Sequence, residues 1–317
     1  MAASPKSVDW ANILDFSLAS ANVTTELFGD WYRDPWGWPE IAWLATSDGV
    51  PHLVRRLNAS DVRRSSRIDV AKENFGTRPA VVLDAADRVV YQALVFLHSV
   101  KMGSDLSPFV HGWRLSRKSA VRGKWMDNGE EHERFRSQLS ALSGHYDALL
   151  KTDIVSCFSS ISVERVRDVL FESLGSGAPV GRLVSMLEAW QAIPSRSGLP
   201  QRSSASAALA NFFLRPIDEV LVRHGKARGV GALTFKDGTA LRWMDDVWLF
   251  SNSTSKLREA QVRLQDALRS LGLEMNHSKT EVLEGADAEE EAKAVRHSAV
   301  DRIGLGATQF GCIGGPH

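Results

Sequence analysis

The stretch RWMDDVWLF, residues 242–250, sets two adjacent aspartates between two short apolar runs. Leu241, Trp243 and Met244 lead into the pair, and Val247, Trp248, Leu249 and Phe250 lead out of it. Aromatic and branched residues on both flanks favour extended chain. The stretch therefore reads as a β-hairpin with Asp245 and Asp246 at or near its turn. Adjacent carboxylates repel each other unless a cation lies between them, which points to a divalent metal site. A solvated Asp-Asp turn between two strands accounts for the same residues. The rest of the chain has to decide between them.

The chain has 317 residues, 44% hydrophobic and 24% charged, a globular balance with room for one large or two modest domains. No apolar run is long enough to span a bilayer. The N-terminal MAASPKSVDW lacks the apolar centre of a signal peptide. Cys157 and Cys312 are too few for a disulfide framework or a four-ligand zinc site. A reducing cytoplasm, with no membrane association, is the expected setting.

Net charge is zero, but it is unevenly spread. Residues 51–124 carry fourteen Lys/Arg against six Asp/Glu, among them Arg55, Arg56, Arg63, Arg64, Lys72, Arg78, Arg114, Arg117 and Arg122. Residues 281–301 lean acidic. A basic segment of this kind can track a phosphate backbone or hold a triphosphate, and a mixed solvated surface is the alternative.

Residues 1–60 form an extension with the aromatic cluster WYRDPWGWPEIAW at 31–43, suited to stacking on bases or, more simply, to folding onto its own domain. ALLKTDIV (148–155) reads as a buried strand ending near Asp153. Ser162 is a plausible N-cap for a helix that runs to about Leu174 and closes at Gly175. Residues 203–222 suggest a second helix kinked near Pro216. A third, about 255–271, puts Leu257, Leu264, Leu268 and Leu271 on one face before Gly272. LEMNHSKTEVL (273–283) looks like a turn between two short strands.

Strand, helix, helix, hairpin, helix, strand is an α+β order with a small antiparallel sheet backed by helices. In that layout Asp153 and Asp245 can be neighbours although 92 residues separate them. Three carboxylates on one spot are the ligand set that two magnesium ions need for in-line phosphoryl transfer. One ion would activate a primer 3′-hydroxyl, and the other would bind the incoming triphosphate and the leaving pyrophosphate.

This order of motifs resembles the palm of a reverse transcriptase. KTDIVSCF (151–158) is similar to the first palm motif, GLPQRSSAS (198–206) to the motif opening the long palm helix, RWMDDVWLF to the double-aspartate hairpin, and LGLEMNHSKT (271–280) to the motif after it. Upstream, residues 67–94 and 107–117 resemble the fingers segments. The resemblance implies a right-hand fingers–palm fold: an extension over 1–60, fingers over 61–150, and palm over 151–285 with fingers residues between about 165 and 197. Residues 286–317 remain as a short C-terminal remnant or connection. No thumb is recognisable after Glu284, so a minimal or missing thumb is expected, its grip supplied by a second copy or a partner protein. A chain truncated after the palm would read the same way.

The resemblance also implies roles. Asp153, Asp245 and Asp246 would be catalytic and hold two Mg²⁺ ions, with Mn²⁺ as a substitute, and Ile154 would join both the metal and the nucleotide contacts. Phe158 would exclude a 2′-hydroxyl, favouring deoxynucleoside triphosphates. Lys72, Arg78, Gln201 and Lys279 would meet the nucleotide, and Arg114, Arg117 and Arg202 the nucleic acid. Two positions depart from the pattern: Arg202 stands where glycine is usual, and Trp243 where tyrosine or a small residue is common. No ribonuclease H, integrase, protease, maturase or endonuclease segment is recognisable, and the chain most resembles the bacterial group linked to phage defence and abortive infection. The expected activity is a DNA polymerase that copies an RNA template or noncoding RNA, or works without a template. The alternatives are an RNA-synthesising polymerase and a catalytically silent palm acting as an RNA-binding or assembly module.

Overall fold

The two apolar runs around the paired aspartates become the central strands of a five-stranded sheet. The computed structural model describes residues 8–27, 38–59, 65–71, 77–103, 106–114, 125–193, 197–225 and 238–295. Four N-terminal helices come first: α1 (Trp10–Ile13), α2 (Phe16–Leu27), α3 (Pro39–Leu44) and α4 (Val50–Asn58). A hairpin of β1 (Ser66–Ala71) and β2 (Thr77–Val82) leads into α5 (Ala85–Gly103), whose Val89, Val90, Leu94 and Val95 are all fully buried. Helices on several sides surround α5, which explains why its apolar residues are not confined to one stripe. β3 (Val110–His111) and α6 (Asn128–Ser143) follow, the latter capped by Asp127, whose Oδ1 accepts from Glu130 N at 2.9 Å.

The second half begins with β4 (Ala148–Thr152), α7 (Cys157–Ser160) and α8 (Val163–Leu174). As expected, Ser162 caps α8 and Gly175, at φ 86°, ends it. Then come α9 (Ala178–Gln191), α10 (Ser204–Phe213), α11 (Arg215–Gly225), β5 (Gly238–Trp243), β6 (Asp246–Ser251) and α12 (Thr254–Ser270). A 3₁₀ turn (His277–Lys279), β7 (Glu281–Glu284) and α13 (residues 285–295) complete the described chain.

The sheet order is β3-β5-β6-β4-β7. β4, β5, β6 and β7 pair antiparallel, and β3 adds a parallel edge to β5, so the sheet is mixed rather than purely antiparallel. Side chains alternate across it. Leu149, Leu241, Trp248 and Phe250 pack with Phe135 and Leu139 of α6 and with Ala288 and Ala292 of α13. Leu150, Ala240, Val247 and Leu249 join the main core with Leu209, Leu221, Leu257, Leu264 and Leu268. Helices thus cover both faces of the expected helix-backed sheet. The acidic stretch after Glu284 is part of this: α13 buries Ala288 and Ala292, and Glu291 pairs with Lys151 of β4. Residues 296–317 lie outside the described residues.

The hairpin turn falls where expected, and two helix expectations shift. The hairpin turn is Met244–Asp245, with Asp246 already the first residue of β6, because Met244 takes a left-handed φ of 55°. The helix read over 203–222 is two helices divided at Leu214. Pro216 sits in the first turn of α11, where its missing N–H costs no helical bond. Leu271 falls just past α12 and is half-buried. Of the aromatic cluster at 31–43, residues 31–37 lie outside the described residues, and Trp43 is 46% exposed on α3.

Candidate active site

Pairing places the carboxylates. Thr152 of β4 stands opposite Val247 of β6, so one step further along that register Asp153 comes level with Asp246, beside the Met244–Asp245 turn. A strap from residues 273–280 fixes the other side of Asp153. Asn276 N donates to Asp153 O at 2.9 Å, Val155 N to Glu274 O at 2.9 Å, and Ile154 bridges Met275. The Thr152 and Thr280 hydroxyls meet at 2.7 Å. The strap delivers Lys279, whose Nζ lies 2.6 Å from Asp153 Oδ2. Asp153 is 8% exposed, and its Oδ1 is buried with no hydrogen-bond partner among the described residues.

Charge is unbalanced here. Burial first, then the neighbouring Asp245 and Asp153, push the Asp246 carboxyl up to about 6, against the opposing pull of Lys279 and Lys151. The hydrogen bond to Asp153 raises the Lys279 ammonium. Burial drives the Cys157 thiol far up, and Asp245 and Asp153 push it the same way while Arg242 opposes them. Cys157 is therefore an inert buried thiol.

Arg242, given no role in the sequence reading, is the central support of the turn. It is fully buried, and its Nε and Nη2 donate to Asp218 Oδ1 and Oδ2 of α11 at 2.8 and 3.0 Å. Nη1 donates to Asn211 Oδ1 at 3.0 Å and to the Met244 carbonyl at 2.8 Å. Burial pushes the Asp218 carboxyl up while Arg242 pulls it down. A charged residue inside an apolar strand run was the available signal, because such a charge needs a partner.

A second wall comes from α7 and the loop before α10. Leu199 N donates to Phe158 O at 2.8 Å, and Gly198, at φ 73°, lies so close that a Cβ would fall 2.0 Å from that same oxygen. This contact ties half-buried Phe158 to the loop bearing Gln201, whose Oε1 is buried without a partner among the described residues. Arg202 takes a left-handed φ of 59°, the conformation glycine adopts freely, which is a physical reason for glycine's being usual there. Glu26 of α2 holds the start of α10: its Oε1 accepts from Ser204 N at 2.6 Å and from the Ser204 hydroxyl. The N-terminal extension thus braces this wall.

Arg114 is not gathered here: it turns inward and donates to the carbonyls of Ser107 and Val110. Lys72 and Arg117 lie outside the described residues. Arg78 is on β2, and its side chain is outside them too. Trp243 packs against His132 and Phe135 of α6.

The donors suit a hard divalent cation: carboxylate oxygens, one of them orphaned, in a cluster whose mutual repulsion a cation would relieve. Among the described residues, however, no three His, Cys, Asp or Glu side chains are drawn together closely enough to form a finished ion site.

A mixed sheet with an aspartate pair on its central hairpin, packed between helices, defines the palm of a polymerase-type nucleotidyltransferase. The chain belongs to the reverse transcriptase family: a family model described as reverse transcriptase (RNA-dependent DNA polymerase) matches residues 70–304, well over half its length. Such domains generally use divalent metal ions. Among matching solved structures is an apo telomerase from Candida tropicalis truncated from its C-terminal domain, at 11% identity and TM-score 0.45. The match covers 70% of this chain and 50% of that one, so this chain spans about half the length of that structure. No curated protein matches the chain. No helix among the described residues is long and apolar enough to cross a membrane.

Proposed function

We propose that this protein is an RNA-directed DNA polymerase that adds deoxynucleotides to a 3′-hydroxyl. The observation that carries the reading is the juxtaposition of Asp153 with the Asp245–Asp246 hairpin on the palm sheet of a reverse transcriptase family chain. In this reading Asp153, Asp245 and Asp246, joined by Ile154, would hold two Mg²⁺ ions, which would supply charge neutralisation at the reacting phosphate. Lys279, already paired with Asp153, is positioned to move onto the leaving pyrophosphate. Gln201 offers an unused acceptor to the nucleotide, and Phe158 beside it crowds a 2′-hydroxyl. Lys72 and Arg78 meet the triphosphate, and Arg117 and Arg202 the nucleic acid. Arg114 serves it indirectly, by shaping the loop at 106–110.

The substrates in this reading are deoxynucleoside triphosphates and an RNA template or noncoding RNA. The setting is bacterial antiphage defence in the cytoplasm, with a second copy or partner protein supplying grip on the duplex. The test is to purify the protein with its bound nucleic acid and supply dNTPs or rNTPs with Mg²⁺. Products are then sequenced beside an Asp245→Ala control. DNA that matches a bound RNA supports the reading, and homopolymer or simple repeats point to untemplated synthesis. Equal incorporation by the control overturns the assigned site. Incorporation by neither protein points instead to a silent palm that binds RNA. Phage plating efficiency with and without the Asp245→Ala change tests the defence role.

A further inference from the structure

We propose that Arg242 is a positioning residue that orients Asp245, acting through the Met244 carbonyl with Asp218 and Asn211 as its anchors. The inference rests on the polymerase reading above and deepens it.

The physical case starts from cost. A guanidinium and a carboxylate buried in a sheet–helix core lose their hydration, and a pair of well-packed apolar side chains usually serves stability at least as well. Stability alone is thus a weak reason for Arg242 and Asp218 at this position. The geometry gives a better one. Asp218 uses both oxygens to fix the plane of the guanidinium, and that plane then aims Nη1 at two acceptors, Asn211 Oδ1 and Met244 O. Met244 is the left-handed residue that makes the turn, and Asp245 is the next residue along. A peptide in this strained region drifts unless something outside the turn holds it. Asn211 is itself held, its Nδ2 donating to Gly112 O at 3.1 Å beside β3. The Asp245 backbone is therefore referenced to α10, α11 and the parallel edge of the sheet.

The test compares Arg242→Met/Asp218→Leu with wild type, with Arg242→Lys and with Asp245→Ala. The readouts are thermal melting, Mn²⁺ binding by electron paramagnetic resonance without nucleotide, and nucleotide-incorporation kinetics. The double variant leaves no unpaired buried charge, so it is expected to melt at or above the wild-type temperature. Its Mn²⁺ affinity and kcat are expected to fall roughly 10- to 100-fold, with little change in KM for the nucleotide. Arg242→Lys keeps the charge but loses the planar fork, so its Mn²⁺ affinity and kcat should fall in the same way at a lower melting temperature, which serves if the double variant fails to fold. Wild-type Mn²⁺ affinity and kcat in a folded variant overturn the proposal. If Asp245→Ala also binds Mn²⁺ like wild type, the polymerase reading of the site fails instead, and the Arg242 proposal with it.

Discussion

Replacing Asp246 with asparagine should stabilise the metal-free protein while abolishing the function we assign it. Burial and the neighbouring Asp245 and Asp153 raise the Asp246 carboxyl from 3.8 to about 6, against the pull of Lys279 and Lys151. A carboxyl raised by folding favours the folded state while it is protonated. That advantage is complete below the unfolded value and is lost as pH rises through about 6. At pH 8 the wild type therefore bears a penalty that asparagine lacks. The full rise corresponds to roughly 3 kcal/mol. Asp246 shows surface to solvent even though protein crowds it, so water screening reduces the effect to about 1 kcal/mol. For a chain of this size that is about 2 °C in melting temperature. Scanning fluorimetry in EDTA should show Asp246→Asn melting above wild type at pH 8, with the gap narrowing at pH 5. Millimolar Mg²⁺ should reverse the order, because the wild type gains binding free energy that the variant cannot. A variant that melts below wild type in EDTA at pH 8, or a gap of the same size at both pH values, refutes the electrostatic reasoning.

Lys279→Ala removes the ammonium 2.6 Å from Asp153; it should tighten Mn²⁺ binding a few-fold, since the ion no longer displaces a cation, yet slow incorporation by about 100-fold. Weaker Mn²⁺ binding with an unchanged rate rules out this role. Phe158→Ala should relax discrimination against ribonucleotides by up to ~100-fold, read from the ratio of kcat/KM for dNTP and rNTP, and an unchanged ratio makes Phe158 packing alone. Gly198→Ala forces a methyl group into the Phe158 carbonyl and should cost about 2–4 kcal/mol in urea unfolding; a smaller loss means the two segments separate easily.

Much of the site was legible because its chemistry is written in short, local patterns. Asp153 at the end of an apolar run, the Asp245–Asp246 pair and Ser162 with Gly175 around α8 each carry their own physical reason within a few residues. Arg242 was harder, although it lies inside the most informative stretch of the chain, because its partners Asp218 and Asn211 are on other elements. Glu26 gave no sign at all: a glutamate on an N-terminal helix reads as solvated until α10 is seen to start against it. Arg114 was misleading in the opposite sense. A basic residue near a nucleic-acid motif suggests contact, but its guanidinium turns to backbone carbonyls.

The sequence by itself determined the α+β order, the strands and helices that carry the aspartates, and the family to which those motifs point. These follow from residue periodicity and turn chemistry, which act over a few positions. Only the tertiary structure decided that the turn falls at Met244–Asp245, that both sheet faces are covered, and that Lys279 closes on Asp153. Each of these depends on groups far apart in the chain, such as Thr152 and Thr280, or Arg242 and Asp218. Their free energy comes from exclusion of water between elements, which no local pattern encodes.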